Sequence, residues 1–243
     1  DLHLSIRRQR QMCIRDSKHI DQYLTYKRNF SMSSLVLNNR TIVDGVNQLS
    51  SIDPILKRLF SGFDIPKLNI ETNYFWSLCR SIIYQQISGK AAKTISDRFL
   101  ALFRSGTNIQ PREVLDIDIN SLYSVGLSRQ KASYMKNIAE AFGNKLINDE
   151  NFIMMNDEEI LKQLTIIKGV GRWTAEMFLI FTLRRSDVFP VTDLGVQKGF
   201  QIVNSLDELP TIDHMTEKAE KWKPYRTIVT LYLWYAVEGP FEW

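Results

Sequence analysis

Two glycines with one residue between them sit in the stretch Ile167-Lys168-Gly169-Val170-Gly171-Arg172-Trp173-Thr174-Ala175, just before a segment of helical period. Glycine lets another group approach the backbone closely, and the first turn of a helix has unpaired N–H groups at the positive end of its dipole. Together these features suit a phosphate, so Lys168, Gly169, Gly171, Arg172 and Thr174 are the candidate phosphate-binding residues. Two glycines alone also make a plain interhelical turn. Further along, in Phe189-Pro190-Val191-Thr192-Asp193-Leu194-Gly195-Val196, Thr192 or Asp193 reads as a helix N-cap. Trp222, Tyr225 and Trp234 place aromatic rings along the last helical segment. Such rings pack in cores, and their faces also attract cations.

The elements that must hold these groups are helical. From Asp53 onward, helix-period segments alternate with short Gly, Pro, Asn and Asp punctuation, and no convincing strand alternation interrupts them. Ile55 to Phe60 is predicted as a short helix, and Gly62 to Asn69 as a loop. Phe75, Leu78, Cys79, Ile82 and Ile83 stripe a long helix ending near Gln86, and Lys90 to Phe103 forms the next. Pro111 opens another, followed by Ile119 to Ser124 and by a helix capped at Ser128 that runs to about Phe142. Glu158 to Leu164, capped by Asn156 or Asp157, leads through the glycine pair into Trp173 to Leu183. A segment to Val203, another from Thr211 to Glu220, and a stripe from Trp222 to Ala236 complete an all-α reading.

The chain has 243 residues, 44% hydrophobic and 24% charged, with 11 Gly and 7 Pro, which excludes disordered, collagen-like and low-complexity classes. Apolar runs such as Met177 to Leu183 fall far below the roughly 18 residues of a membrane span, so no membrane partner is expected. Lys and Arg total 31 against 27 Asp and Glu, a net +4 that permits a polyanionic partner without requiring one. Cys13 and Cys79 are the only cysteines, too few for a four-cysteine cluster, and they suggest a reducing compartment. Residues 1–17 carry Arg7, Arg8, Arg10 and Arg15 without helix or strand period. Within them, Gln11-Met12-Cys13-Ile14-Arg15-Asp16-Ser17 looks like a translated transposase adapter end, and the natural start is expected later, near Met32. Residues 18–52 are polar and weakly patterned, so the helical domain is placed at 53–243.

Ser81-Ile82-Ile83-Tyr84-Gln85-Gln86-Ile87-Ser88-Gly89-Lys90-Ala91-Ala92, the hairpin through Asp193, and Trp222-Lys223-Pro224-Tyr225-Arg226 through Trp234 share an order and spacing with a known group. Together with the weaker match Gly126-Leu127-Ser128-Arg129-Gln130-Lys131-Ala132, they resemble the 3-methyladenine DNA glycosylase II family. This family lies in the helix-hairpin-helix, Gly-Pro-Asp superfamily of base-excision glycosylases, and the resemblance covers roughly Asp53 to Glu238. It implies two helical subdomains flanking a cleft, duplex DNA containing alkylated bases as partner, a monomer, and no cofactor. It also implies a location with the genome, cytoplasmic and nucleoid-associated in a bacterium or nuclear in a eukaryote.

The resemblance makes Asp193 the catalytic carboxylate, Trp234 a base-stacking residue with Trp173 and Tyr225 as further walls, and Gln86 the wedge that fills the gap left by a flipped nucleotide. In bifunctional relatives a lysine nucleophile stands where this chain has Trp173, so a monofunctional enzyme that leaves an abasic site is implied. A purine methylated at N3 or N7 leaves as a neutral group without a general acid. This fits a chain whose His3, His19 and His214 fall in no matched motif. The family hairpin also holds a monovalent cation through carbonyls corresponding to Thr165, Ile167 and Val170. Thr192 departs from the family by standing where an acidic residue is common, leaving Asp193 as the only carboxylate expected there. A non-catalytic helix-hairpin-helix module accounts for the hairpin but not for Asp193 together with Trp234.

Overall fold

The computed structural model describes residues 36–69 and 71–240. Residues 1–17, the expected start near Met32 and the stretch up to residue 35 lie outside the described residues. The fold below is that of the compact unit that begins at residue 35.

Twelve α-helices form among the described residues: α1 (Asn39–Ile52), α2 (Pro54–Ser61), α3 (Tyr74–Tyr84), α4 (Gly89–Leu100), α5 (Pro111–Asp116), α6 (Ile119–Ser124), α7 (Arg129–Gly143), α8 (Asp157–Thr165), α9 (Arg172–Met177), α10 (Leu194–Val203), α11 (Ile212–Ala219) and α12 (Arg226–Glu238). The only strand-like pairing among these residues is one antiparallel bridge, Val36 with Arg185. Most helices start where local capping chemistry dictates. Ser88, Ser128, Asn156 and Thr211 each accept a backbone N–H from the first turn of α4, α7, α8 and α11, which stabilises a helix start by about 1 kcal/mol.

The helices depart from the sequence expectation in three places. Residues 39–52 are not weakly structured: Asn38 and Thr41 form a reciprocal capping box, and the resulting α1 buries Ile42, Gly45 and Leu49. The helical unit therefore begins before residue 53. The helix expected over Trp173 to Leu183 is α only to Met177, and Phe178–Thr182 continue as a π-helix. Trp222 belongs to a 3₁₀ turn ahead of α12, where its indole N–H donates to the Asp53 carboxylate at 3.1 Å.

Two apolar clusters organise the helices. One gathers α3 through the π segment, with Trp76 stacked on Phe99, and with Phe178 in edge contact with both Tyr74 and Phe152, which tilt against each other. The other joins Leu37, Ile42, Leu49, Leu56 and Phe60 of the early chain to Val196, Phe200, Trp222, Ile228 and Tyr232 of the late chain. The described residues thus begin in the second cluster, build the first, and return to finish the second. Trp234 packs against both clusters. The strap between the layers is tied down by Thr227, whose hydroxyl donates to the Arg185 carbonyl at 2.7 Å and accepts the Val188 N–H at 2.9 Å. The Arg226 guanidinium pairs with both Asp187 oxygens at 2.8 and 2.9 Å. That strap ends at Asp193.

Candidate active site

The glycine pair forms a tight turn between α8 and α9, closed by the Val170 N–H on the Ile167 carbonyl at 2.9 Å. Gly169 has φ +104°, and a Cβ there would lie 2.1 Å from Cγ of Tyr134, so only glycine fits. The turn is buttressed from behind: Asn137 donates to the Lys168 carbonyl at 2.9 Å, and Gln85 to the Gly169 carbonyl at 3.3 Å. Gly171 is the N-cap of α9 and supplies no side-chain cap, so the first amides of that helix have no acceptor from it. Lys168 is exposed beside the turn.

Arg172 is exposed as well, but its guanidinium is engaged by two carboxylates, Glu176 at 2.9 Å and Glu158 at 3.6 Å. Thr174 differs from Lys168 and Arg172 in facing inward. Its side chain is buried and its hydroxyl accepts from Gln85 Nε2 at 2.8 Å, because the helix turns this position inward against α3. A monovalent cation at the hairpin would be held by the carbonyls of Thr165, Ile167 and Val170. The Ile167 oxygen already serves the turn and retains one lone pair.

Asp193 caps α10 by accepting the Val196 N–H at 2.8 Å. It also accepts two indole N–H groups, from Trp234 on the same oxygen at 2.8 Å and from Trp173 on the other at 2.6 Å. The three donors come from three helices and hold the carboxylate in one orientation. A Cβ on Gly195 would lie 2.9 Å from Trp234 Cδ1 and 3.0 Å from Asp193 Oδ1, so glycine at this position lets the indole reach the carboxylate. Phe181, carried on the π segment, stacks on Trp234 with ring centroids 5.7 Å apart and planes 17° from parallel. π turns of this kind occur often at functional sites.

Asp193, Trp173, Trp234, Phe181 and Gln86 line a cleft of about 500 Å³, within the span of roughly 300–1,000 Å³ usual for small-molecule sites. Gln86 stands at its exposed rim with φ +56°, a left-handed conformation disfavoured for a residue with a side chain. Tyr225 does not line the cleft. It is the N-cap residue of α12, and its ring packs beside Gly45 of α1 and the second apolar cluster. Asp193 is also not the only carboxylate nearby, since Glu238 lines the same cleft. Glu176 is buried on α9, where desolvation, opposed by Arg172 and reinforced by the charge of Asp193, raises its pKa above the ordinary glutamate value. Gly195, Phe181 and Lys198 were not assigned from sequence. The spacing of Lys198 five residues after Asp193, one and a half turns into a capped helix, is the one local signal for it.

Residues 79–224 match the HhH-GPD superfamily base excision DNA repair proteins. The chain belongs to this family. DNA-3-methyladenine glycosylase 1 of Schizosaccharomyces pombe is 36% identical over 190 residues, spanning 76% of this chain and 83% of the relative. The structure of the S. pombe 3-methyladenine DNA glycosylase Mag1 in complex with abasic DNA superposes with a TM-score of 0.75 at 34% identity, covering 82% of this chain and all of that one. A DNA-3-methyladenine glycosidase from Bacillus halodurans superposes at 0.67 with 30% identity, covering 80% of this chain and 89% of that one. In this HhH-GPD protein the hairpin, the carboxylate and the aromatic cleft are therefore parts of one repair fold.

Proposed function

We propose that the chain is a monofunctional DNA glycosylase that removes alkylated, cationic purines such as 3-methyladenine and 7-methylguanine from double-stranded DNA and leaves an abasic site. The observation that carries this reading is the Asp193 carboxylate, fixed by two indole N–H groups at the edge of an aromatic cleft. The base cannot be reached within the stack, so the nucleotide must be flipped into the cleft. The rings of Trp173, Trp234 and Phe181 suit a cationic purine, which they attract through their faces. A non-catalytic hairpin module has no use for such a carboxylate.

As the bond from sugar C1′ to the purine nitrogen breaks, its electron pair leaves with the base, which departs neutral, and positive charge gathers on the sugar. A carboxylate about 4 Å from that charge, at an effective dielectric near 20, contributes about 4 kcal/mol of attraction, roughly a thousandfold in rate. Water then adds its oxygen to C1′ and releases a proton, for which Asp193 is the proposed acceptor. The hairpin supplies backbone amides to a phosphate, with Lys168 beside them, and a monovalent cation held by its carbonyls would add positive charge there. We place the enzyme with the genome, acting as a monomer, in the nucleoid of a bacterium or the nucleus of a eukaryote.

The test is base release from duplexes carrying 3-methyladenine, 7-methylguanine, ethenoadenine or hypoxanthine, with borohydride present in a parallel arm. The expected result is release of the methylpurines, strand breaks only after alkali, and no trapped adduct. A borohydride-trapped protein–DNA adduct would establish a lyase. The amine to examine would then be Lys198, which lines the cleft, ahead of Lys168 on the hairpin.

A further inference from the structure

Gln85, the residue before the wedge, is held from two sides by contacts that the reaction chemistry does not explain. The last carbonyls around the end of α3, those of Ile83 and Gln85, both accept from the ammonium of Lys131, at 2.8 and 2.7 Å. Lys131 is partly buried, and desolvation lowers its pKa, so these two oxygens replace water that it has lost. It lies in the first turn of α7, whose Tyr134 covers Gly169 and whose Asn137 holds the Lys168 carbonyl. The Gln85 side chain reaches the same hairpin directly, donating to the Gly169 carbonyl at 3.3 Å and the Thr174 hydroxyl at 2.8 Å. The next residue is Gln86, at φ +56° on the rim of the cleft. Helices commonly end on a glycine in this conformation. Here a full side chain is kept there, with the preceding residue anchored to both α7 and the hairpin.

We propose that Lys131 and Gln85 are positioning residues that join the hairpin to the wedge, so that seating the hairpin on a DNA phosphate and inserting Gln86 into the base stack occur as one event. This rests on the reading of Gln86 as the residue that fills the vacated stack. Without the link, the hairpin still grips DNA while Gln86 samples other orientations.

The test uses the full chain and a duplex in which 2-aminopurine flanks a tetrahydrofuran abasic analogue, with stopped-flow fluorescence reporting opening of the stack. Gln86→Ala is measured first. If it leaves the insertion phase unchanged, the wedge reading itself fails, and this inference falls with it. If it slows insertion, Lys131→Met is expected to slow it about tenfold, the scale of one lost charged hydrogen bond, with duplex affinity nearly unchanged. Lys131→Arg, which can still donate to both carbonyls, is expected to restore the rate. The double variant Lys131→Met, Gln86→Ala should be no slower than Gln86→Ala alone, because both changes act through one side chain. Should Lys131→Met fail to fold, Gln85→Met removes the hairpin link with little change in bulk and carries the same expectation. Normal insertion in a folded link variant, or effects of link and wedge that multiply, would overturn the proposal.

Discussion

α9 and α10 lie at the same cleft and start in opposite ways. α9 begins on Gly171, which has no side chain to bond its first amides. α10 begins on Asp193, whose carboxylate satisfies its own helix and also takes two indole N–H groups. The first start has amides with no side-chain acceptor, whereas the second presents a carboxylate held in one orientation. The two roles proposed above, binding to the DNA backbone and stabilisation of a developing cation, thus fall on two helix ends of opposite electrostatic character.

Exchanging those characters gives the sharpest tests. Asp193→Asn keeps a capping side chain but removes the charge, so single-turnover release of 7-methylguanine should fall about a thousandfold, matching about 4 kcal/mol. Affinity for an abasic analogue should hold or rise slightly. Near-normal release would reduce Asp193 to a cap and erase the contrast. At the other helix, Gly169→Ala and Gly171→Ala separate folding from binding. Alanine at Gly169 meets both the +104° φ and the Tyr134 ring, so melting temperature and affinity for every DNA sequence should fall, the latter by about five- to thirtyfold for a strain of roughly 1–2 kcal/mol. At Gly171 a Cβ meets nothing within 4 Å among the described residues, so melting should be unchanged and any loss in duplex affinity arises at the DNA.

A smaller effect tests the indole bonds. Trp234→Phe keeps an aromatic wall and removes one donor from Asp193, and excision should slow about tenfold, near the 1–1.5 kcal/mol of a hydrogen bond. The smallest expected effect lies at a helix cap remote from the cleft. Burial raises the pKa of Asp53, but hydrogen bonds and charge from Lys221, the Trp222 indole and the Ile55 amide outweigh it and hold the carboxyl below its ordinary 3.8. Its folded pKa is depressed, so its stabilisation is complete above about pH 4, the unfolded value, and is lost as pH falls through the folded one. Asp53→Asn should therefore lower the melting temperature by a few degrees at pH 7 and narrow its gap to wild type as the pH approaches 3.

Local signals made most of the framework legible. The caps at Ser128, Asn156 and Asp193 and the Pro at the start of α5 mark helix starts within a few residues of sequence, and the all-α class follows from them. The cap at Asp193 and the hairpin turn were readable because their signals are local. The contacts that turn Asp193 into a site were not, since Trp173 and Trp234 reach it from 20 and 41 residues away. Periodicity also could not show that Thr174 faces Gln85 or that Tyr225 faces α1, because a helix has several sides and only tertiary packing chooses among them. α1 was missed because its reciprocal cap uses Thr41 in place of the usual Glu or Gln.

The two indole bonds also bear on how such an enzyme can change its diet. Met177, Leu194 and Val237 line the cleft with side chains that have nothing to donate to a carboxylate, so exchanging them reshapes the space offered to a base without disturbing Asp193. Trp173 and Trp234 have no such freedom, because a new shape there is also a new carboxylate orientation. A library built to move lesion preference would keep the two tryptophans constant and randomise the apolar wall, and divergence among natural descendants of this chain would follow the same division.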